Sequence, residues 1–408
     1  MKYMEKINVV YVSSVTSEDT MNRIIDNSKS KPLQSIQKFH RLICEGIANN
    51  GDNVETITAI PMSRSISKKT FWGLKKEKVN GVMYKYLPFI NIPVLRQVCL
   101  LFFTFAFVAK NCFGNKNKIF ICDVLNTTIS TTTLLITKIL RKKCIGIVTD
   151  LPRDIGGSKS LSKKINEFFQ NKYDGYIILT EEMNNIINVK KKPSIVIEGL
   201  VDSKEISDNS IIKKYDKKVI MYAGGLYEKY GVKTMIKAFT EISDKNMELH
   251  LYGTGDLDEY IKSIKDERIK FFGVVQNKII VQEEKKATIL INPRFSEAEY
   301  TKYSFPSKNM EYMVSGTPII TTKLPGMPKE YYDYIYLIED ESESGMRNSM
   351  ITVLKLPREE LTEKGKKARD FVLKYKNNNV QAKRIIDLCA KLIGGRKIGK
   401  NERRYKQN

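Results

Sequence analysis

At 408 residues, 42% hydrophobic and 28% charged, the chain is long enough for two domains with separate cores and too apolar for wholesale disorder. A formal charge of +23 suits an anionic partner: nucleic acid, an anionic membrane surface or a polyphosphate substrate. It also suits a lysine-rich composition with no functional meaning. The lysines are spread through helices and loops with no recognisable nucleic-acid-binding module, so no nucleic-acid partner is expected.

The N-terminus reaches an apolar, β-rich run at residues 7–12 almost at once, and no secretory leader is expected. Further runs of this kind occur at 54–60, 82–87, 119–122, 144–149, 176–179 and 194–197, with helical stretches at 33–49, 129–140 and 161–171. Residues 67–78 mix lysines with the only tryptophan, Trp72; they read equally as a solvated loop with one apolar anchor or as a contact for anionic lipid. Residues 94–109 form the most apolar run, shorter than the roughly 20 residues that span a bilayer. A buried or interfacial helix is predicted there. The six cysteines are scattered without a C-x-x-C pair, as free thiols are in a reducing compartment, which predicts a cytoplasmic protein.

Residues 198–217 pass from the end of a strand through a polar, charged stretch to a fresh buried strand, which places a linker between two domains. Strands follow at 219–222, 248–252, 269–272, 289–292, 317–321 and 335–338, and helices at 231–242, 256–264, 304–315, 344–354 and 358–375. Strand and helix in alternation predict an α/β fold of two Rossmann-like, doubly wound parallel-sheet domains facing a cleft. The predicted division is 1–200, 201–376, a C-terminal helix at 377–393 packing back on the first domain, and a basic tail at 394–408.

The most informative segment is Tyr303-Ser304-Phe305-Pro306-Ser307-Lys308-Asn309-Met310-Glu311, followed by Gly316 and a buried strand. Proline near a helix start is pre-organised for it, and serines are expected to supply capping oxygens. The first turn offers free N–H groups and a positive dipole end, an anion site. Lys308 lies in that turn and Glu311 three residues on, so Lys308 suits a diphosphate and Glu311 the hydroxyls of a ribose. An exposed i,i+3 ion pair would present the same two residues. Glycine turns end two predicted strands, at Gly224-Gly225 and at Gly253-Thr254-Gly255, where open α/β sheets hold ligands. The third glycine of a dinucleotide fingerprint is absent, so NAD is not expected.

Asp256-Leu257-Asp258 has the form of a metal-binding Asp-x-Asp, but Asp256 stands where a helix N-cap belongs. Asp123, Asp150 and Asp154 follow strands of the first domain, and Asp150 is the best placed to meet an acceptor; a capping or loop role fits it as well. His40 and His250 are isolated, and there is no Ser/His/Asp triad or cysteine–histidine metal set.

Gly-Gly-Leu-x-x-x-x-Gly-Val, Tyr-Gly-x-Gly, Phe-x-Gly-x-Val and the Phe-Pro-Ser-Lys…Glu-Tyr-Met-x-Ser-Gly-Thr-Pro block occur in that order. Together they resemble the donor domain of family 4 retaining glycosyltransferases of the GT-B fold, of the bacterial capsular and exopolysaccharide type. In the first domain only Ile197-Glu198-Gly199-Leu200-Val201-Asp202 matches, at the junction. The chain departs from the pattern at Gly225 and Tyr230, where the family has an arginine and a lysine on the donor phosphates. It departs again at Tyr303, where the family has the first of two glutamates. That carboxylate is then either missing or supplied by Glu297 or Glu299, and Lys308 and Arg294 are the candidates for the lost cations.

The resemblance implies transfer of a hexose-type sugar, with retention, from a nucleotide sugar, here expected to be a UDP-sugar, to a hydroxyl of a lipid-linked saccharide. The expected donor site comprises Gly224, Gly225, Gly253, Arg294, Tyr303, Ser307, Lys308 and Glu311, with Asp150 and Lys308 as catalytic residues. No metal or cofactor is expected, and the enzyme would sit peripherally on the anionic inner membrane face. A sugar-nucleotide 2-epimerase on the same frame, or a degenerate partner subunit that only binds nucleotide, remain alternatives.

Overall fold

Buried β-rich runs and amphipathic helices alternate along the computed structural model, which describes residues 6–26, 28, 34–64, 66–113, 117–151, 161–207 and 212–394. The chain divides into two units, Met1–Leu200 with Asn378–Asn408, and Val201–Asn377.

The first unit runs β1 (Asn8–Ser13), α1 (Glu18–Asp26), α2 (Gln34–Asn49), β2 (Asn53–Thr58), β3 (Phe71–Trp72), β4 (Glu77–Val79), β5 (Val82–Tyr86) and β6 (Phe89–Ile90). It continues through α3 (Pro93–Cys112), β7 (Lys118–Asp123), α4 (Thr127–Ile139), β8 (Cys144–Val148), α5 (Leu161–Phe169), β9 (Gly175–Ile178), α6 (Glu181–Ile187) and β10 (Ser194–Val196). Eight strands form one sheet in the order β10-β9-β8-β7-β1-β2-β5-β4, parallel except where β4 turns back on β5. Its central strands are buried on both faces, which is why they read as continuous apolar runs.

The second unit comprises β11 (Lys218–Gly225), α7 (Val232–Thr240), β12 (Met247–Thr254), α8 (Asp258–Ser263), β13 (Ile269–Gly273) and α9 (Asn277–Lys286). Then come β14 (Ile289–Asn292), α10 (Ser307–Ser315), β15 (Ile319–Thr322), β16 (Tyr336–Ile338), α11 (Glu343–Leu354) and α12 (Arg358–Tyr375). The all-parallel sheet has the order β13-β12-β11-β14-β15-β16. Alternate residues of β11 feed separate cores: Ile220 and Tyr222 join one, Val219, Met221 and Ala223 the other. The strand order reverses between β11 and β14, and open α/β sheets bind ligands beyond the carboxyl ends of the strands at such a reversal.

The final helix, α13 (Asn378–Ile393), belongs to the first unit, where it packs on α2. A Cβ on Gly46 of α2 would collide with the Asn378 carbonyl oxygen and lie 2.8 Å from Ala382 Cβ, so the missing side chain lets the two backbones meet. Asn378 Nδ2 donates to the Leu42 carbonyl oxygen at 3.3 Å, and Ile385, Ile386 and Cys389 fill the unit's core.

Three expectations change. The apolar helix extends over twenty residues, longer than the run of 94–109, with Pro93 in its first turn; most of it is exposed, which removes the buried alternative and leaves the interfacial one. Trp72 is not an exposed anchor: β3 pairs with β6, which buries the indole, and its N–H donates to the Lys69 carbonyl oxygen at 3.2 Å. Helices α1, α6 and α9 were not legible; α9 is largely polar and even buries Glu284 and Lys285. Asp154 and the basic tail beyond Gly394 lie outside the described residues.

Candidate functional site

β11 ends in Gly224-Gly225, in register with Gly253-Thr254 of β12. Gly253 has a φ of 127°, and a Cβ there would collide with the Gly224 carbonyl oxygen. Only glycine permits that approach. The space beside Gly224 is taken by another residue: a Cβ on it would strike Lys308 Cε and lie 2.9 Å from Nζ. The Tyr222 hydroxyl donates to the Gly225 carbonyl oxygen at 2.9 Å and fixes the turn.

Lys308 reaches this turn because α10 is pinned to the sheet. The buried Tyr312 hydroxyl, one turn further on, accepts from Ala223 N at 2.9 Å and donates to the Ala223 carbonyl oxygen at 3.3 Å. Asn292 of β14 donates to Asn309 Oδ1 at 2.8 Å, also in the interior. The serines do not cap the helix as expected. Pro306 occupies the N-cap position without a side-chain cap, and the Ser304 hydroxyl donates instead to the Tyr300 carbonyl oxygen at 3.0 Å. The first turn of α10 therefore keeps backbone N–H groups that no capping side chain takes.

The Lys308 ammonium makes no hydrogen bond or ion pair among the described residues. Burial pushes it below the ordinary lysine range, the Glu311 and Glu284 carboxylates pull it partly back, and Arg294 adds to the depression. A half-buried ammonium without an acceptor among the described residues, at a helix N-terminus and over a glycine turn, is an arrangement that an anion would stabilise.

A second cation flanks the turn. Arg294 follows β14, and its carbonyl oxygen accepts from the Thr322 hydroxyl. Its guanidinium lies 4.7 Å from the Tyr230 ring centroid and 6.0 Å from that of Tyr300. Tyr230, which stands where the resemblance implied a cation, forms a π face on which the Arg294 guanidinium rests. Lys229 lies over the same ring at 5.3 Å.

The other expected donor residues are spread along α10 and the turns before it. Ser307 is exposed as the first residue of α10; Glu311 is half-buried, one turn beyond Lys308. Tyr303, half-buried, ends the 3-10 turn Glu299–Lys302, and Glu297 and Glu299 are both exposed. Asp256 is not the N-cap of α8, a position held by Leu257; its carboxylate accepts from Glu228 N at 3.1 Å. Asp258 accepts from the Thr254 hydroxyl at 2.5 Å and from Gly255 N at 2.9 Å. Both carboxylates brace glycine turns. Sequence reasoning missed the anchoring roles of Tyr312, Asn309 and Tyr230. The only signal for Tyr312 was its place four residues after Lys308, on the same face of the helix.

In the first unit, Asp150 is half-buried just beyond the carboxyl end of β8. Asp123 ends the neighbouring β7 and is buried in a cluster with His40 and Tyr11. Tyr11 Oη lies 2.5 Å from His40 Nδ1, and His40 Nε2 lies 3.3 Å from Asp123 Oδ2, too poorly aligned for a hydrogen bond. His40 is therefore not isolated, but it is sealed from solvent and acts as a structural link between α2 and the sheet.

This architecture is that of the GT-B glycosyltransferases. Sucrose-phosphate synthase from Thermosynechococcus elongatus is similar with a TM-score of 0.66 and 14% identity, over 95% of this chain and 100% of that chain. The catalytic domain of starch synthase IV from Arabidopsis thaliana, bound to ADP and acarbose, gives 0.65 and 11%, over 96% and 100%. HepE from Anabaena, in complex with UDP, gives 0.61 and 10%, over 94% and 100%. Residues 217–355 match the family model described as "Glycosyl transferases group 1", so a glycosyltransferase group 1 domain makes up most of the second unit. No curated protein sequence is significantly similar to the chain.

Proposed function

We propose that the protein is a retaining hexosyltransferase that takes its sugar from a UDP-sugar and passes it to a hydroxyl of a lipid-linked saccharide, in capsular or exopolysaccharide synthesis. One observation carries the donor half of this reading: the Lys308 ammonium, without an acceptor, lies against Gly224 where the strand order reverses. Structures of the similar HepE with UDP and with UDP-glucose support the choice of uridine.

In this reading Lys308, the first turn of α10 and Arg294 hold the diphosphate, and Glu311 accepts from the ribose hydroxyls. Gly224, Gly225 and Gly253 let backbone approach the phosphates. Tyr303, just before α10, and Ser307, its first residue, are assigned to the same donor. The bond between the anomeric carbon and the β-phosphate oxygen breaks while the acceptor oxygen bonds the same face of that carbon. The acceptor proton passes to the departing diphosphate. The protein contributes by stabilising the charge that builds on the diphosphate, a role its fixed cations fill without a metal. Asp150 is assigned to positioning the acceptor hydroxyl.

The test is incubation with a panel of UDP- and GDP-sugars and lipid-linked saccharides, with the product's anomeric configuration read by nuclear magnetic resonance. A product that keeps the donor's configuration is expected. Release of free sugar without an acceptor would replace the reading with an epimerase. Nucleotide binding without turnover on any acceptor would replace it with a partner subunit.

A further inference from the structure

Tyr222, Tyr227, Tyr230 and Tyr300 gather at the glycine turn of the second unit, and they differ in what holds them. Tyr222 is buried and donates its hydroxyl to the Gly225 carbonyl oxygen, so it serves the turn itself. The other three are placed differently. A Cβ on Gly225 would lie 2.7 Å from Tyr227 Cδ2 and Cε2 and 3.4 Å from Tyr230 Cε2, so both rings come up against the turn. The Tyr227 and Tyr230 rings meet edge to face, with centroids 5.5 Å apart and planes at 90°, and Tyr300 continues the row at 6.2 Å from Tyr230. Tyr227 is 38% exposed, and Tyr230 and Tyr300 are half-buried. The hydroxyls of Tyr227 and Tyr230 make no hydrogen bond among the described residues. A tyrosine of the core is covered and its hydroxyl is bonded, as at Tyr222. These rings instead form a partly open aromatic shelf.

The position of the shelf says what it would meet. Lys308, assigned to the diphosphate, lies against Gly224, and the shelf lies against Gly225, the next residue. Glu311, assigned to the ribose, is one turn further along α10, so the nucleoside leaves the diphosphate on the α10 side. The sugar of a nucleotide sugar hangs from the other phosphate. Arg294, the second cation assigned to the diphosphate, rests on Tyr230 and Tyr300 and so joins the phosphate end to the shelf. Glu228, the carboxylate of the same loop, is engaged by Lys233 at 3.1 Å. The shelf therefore offers ring surface and hydroxyls. A pyranose is complementary to both: its ring C–H groups pack on an aromatic plane, and its hydroxyls hydrogen-bond at the rim.

We propose that the Tyr227–Tyr230–Tyr300 shelf seats the hexose of the donor, with the C–H face of the sugar on the Tyr227 ring. The inference rests on the nucleotide-sugar reading and assigns the sugar-recognising residues, which that reading does not name. Tyr227 then contributes a contact to the one part of the donor that UDP lacks.

The test is calorimetric titration of UDP, UDP-glucose, UDP-galactose and UDP-N-acetylglucosamine into the wild type, Tyr227→Leu and Tyr227→Phe. Leucine keeps apolar bulk against Gly225 and removes the ring, whereas phenylalanine keeps the ring. UDP affinity is expected to be the same in all three proteins. The UDP-sugar that the wild type binds most tightly should lose about three- to tenfold with Tyr227→Leu, and Tyr227→Phe should retain it. Equal losses for UDP and the UDP-sugar would overturn the proposal, because the ring would then serve the turn or stack on the base. So would an unchanged UDP-sugar affinity in Tyr227→Leu, an equal loss with Tyr227→Phe, or a wild type that binds UDP and none of the three sugars. Failure of the underlying reading looks different: the wild type would not bind UDP at all. UDP binding that Lys308→Ala weakens, beside UDP-sugar binding indifferent to Tyr227→Leu, would overturn the shelf alone.

Discussion

Lys308 is the residue on which the donor site turns, because its half-buried ammonium lies against Gly224 and has no acceptor among the described residues. Replacing it with alanine should weaken UDP binding by about 1.5–3 kcal/mol, the range of a charge-assisted contact, as read by calorimetric titration. Uridine affinity should be unaffected. Since burial lowers the lysine's pKa, UDP affinity should fall as pH rises through that lowered value, before a free lysine would lose its proton. Lys308→Arg should remove this decline, because arginine stays charged throughout. Glu311→Gln should weaken uridine and UDP alike, as a ribose contact does not depend on phosphate. Loss confined to UDP would reassign Glu311 to the diphosphate.

At the scale of elements, two packings are held by single residues. The approach of α2 and α13 depends on Gly46, whose Cβ would meet the Asn378 carbonyl oxygen. Gly46→Val should therefore destabilise by about 1–3 kcal/mol or more, the cost of overpacking, visible as a lower denaturation midpoint. Just before β11, the Lys214 ammonium donates to the Ala287 carbonyl oxygen at 2.8 Å and to Thr317 Oγ1 at 2.7 Å. Burial pushes its pKa down to about 8. The unfolded chain then binds more protons than the folded one between about pH 8 and the ordinary lysine value of 10.5, so this group adds stability as pH rises through that window. Relative to Lys214→Met, the wild type should gain roughly 2–3 kcal/mol between pH 7 and pH 10 in chemical denaturation. A constant difference would mean that Lys214 titrates normally.

Across the whole molecule, the residues assigned to the donor lie in the second unit, and both termini lie in the first. UDP should raise the melting temperature more than GDP does, because a ligand that binds only the folded state stabilises it by mass action. EDTA should leave that shift unchanged if Lys308 and Arg294 hold the diphosphate. A larger shift with GDP would overturn the choice of base, and loss of the shift in EDTA would reinstate a metal.

The sequence by itself determined the parallel strands of both units, because strands covered on two faces read as apolar runs, as at Cys144–Val148 and Ile289–Asn292, but not the polar antiparallel edge strand β4 or the β3–β6 pair. It also determined the glycine turns and the Lys308–Glu311 spacing, since both are local. Which side of α3 is covered could not be read from residues 94–109, because a helix apolar on nearly every side has no periodic signal to orient it. The burial of Trp72 followed from the pairing of β3 with β6, and the seat of Arg294 on Tyr230 from folding that joins segments distant along the chain. Lys308 was legible as a cation in a helical turn. That its ammonium lies in the space a Gly224 side chain would fill was decided only by the anchoring of α10 to β11 through Tyr312. Contacts of that kind depend on where separate elements meet, and sequence spacing within one element does not encode them.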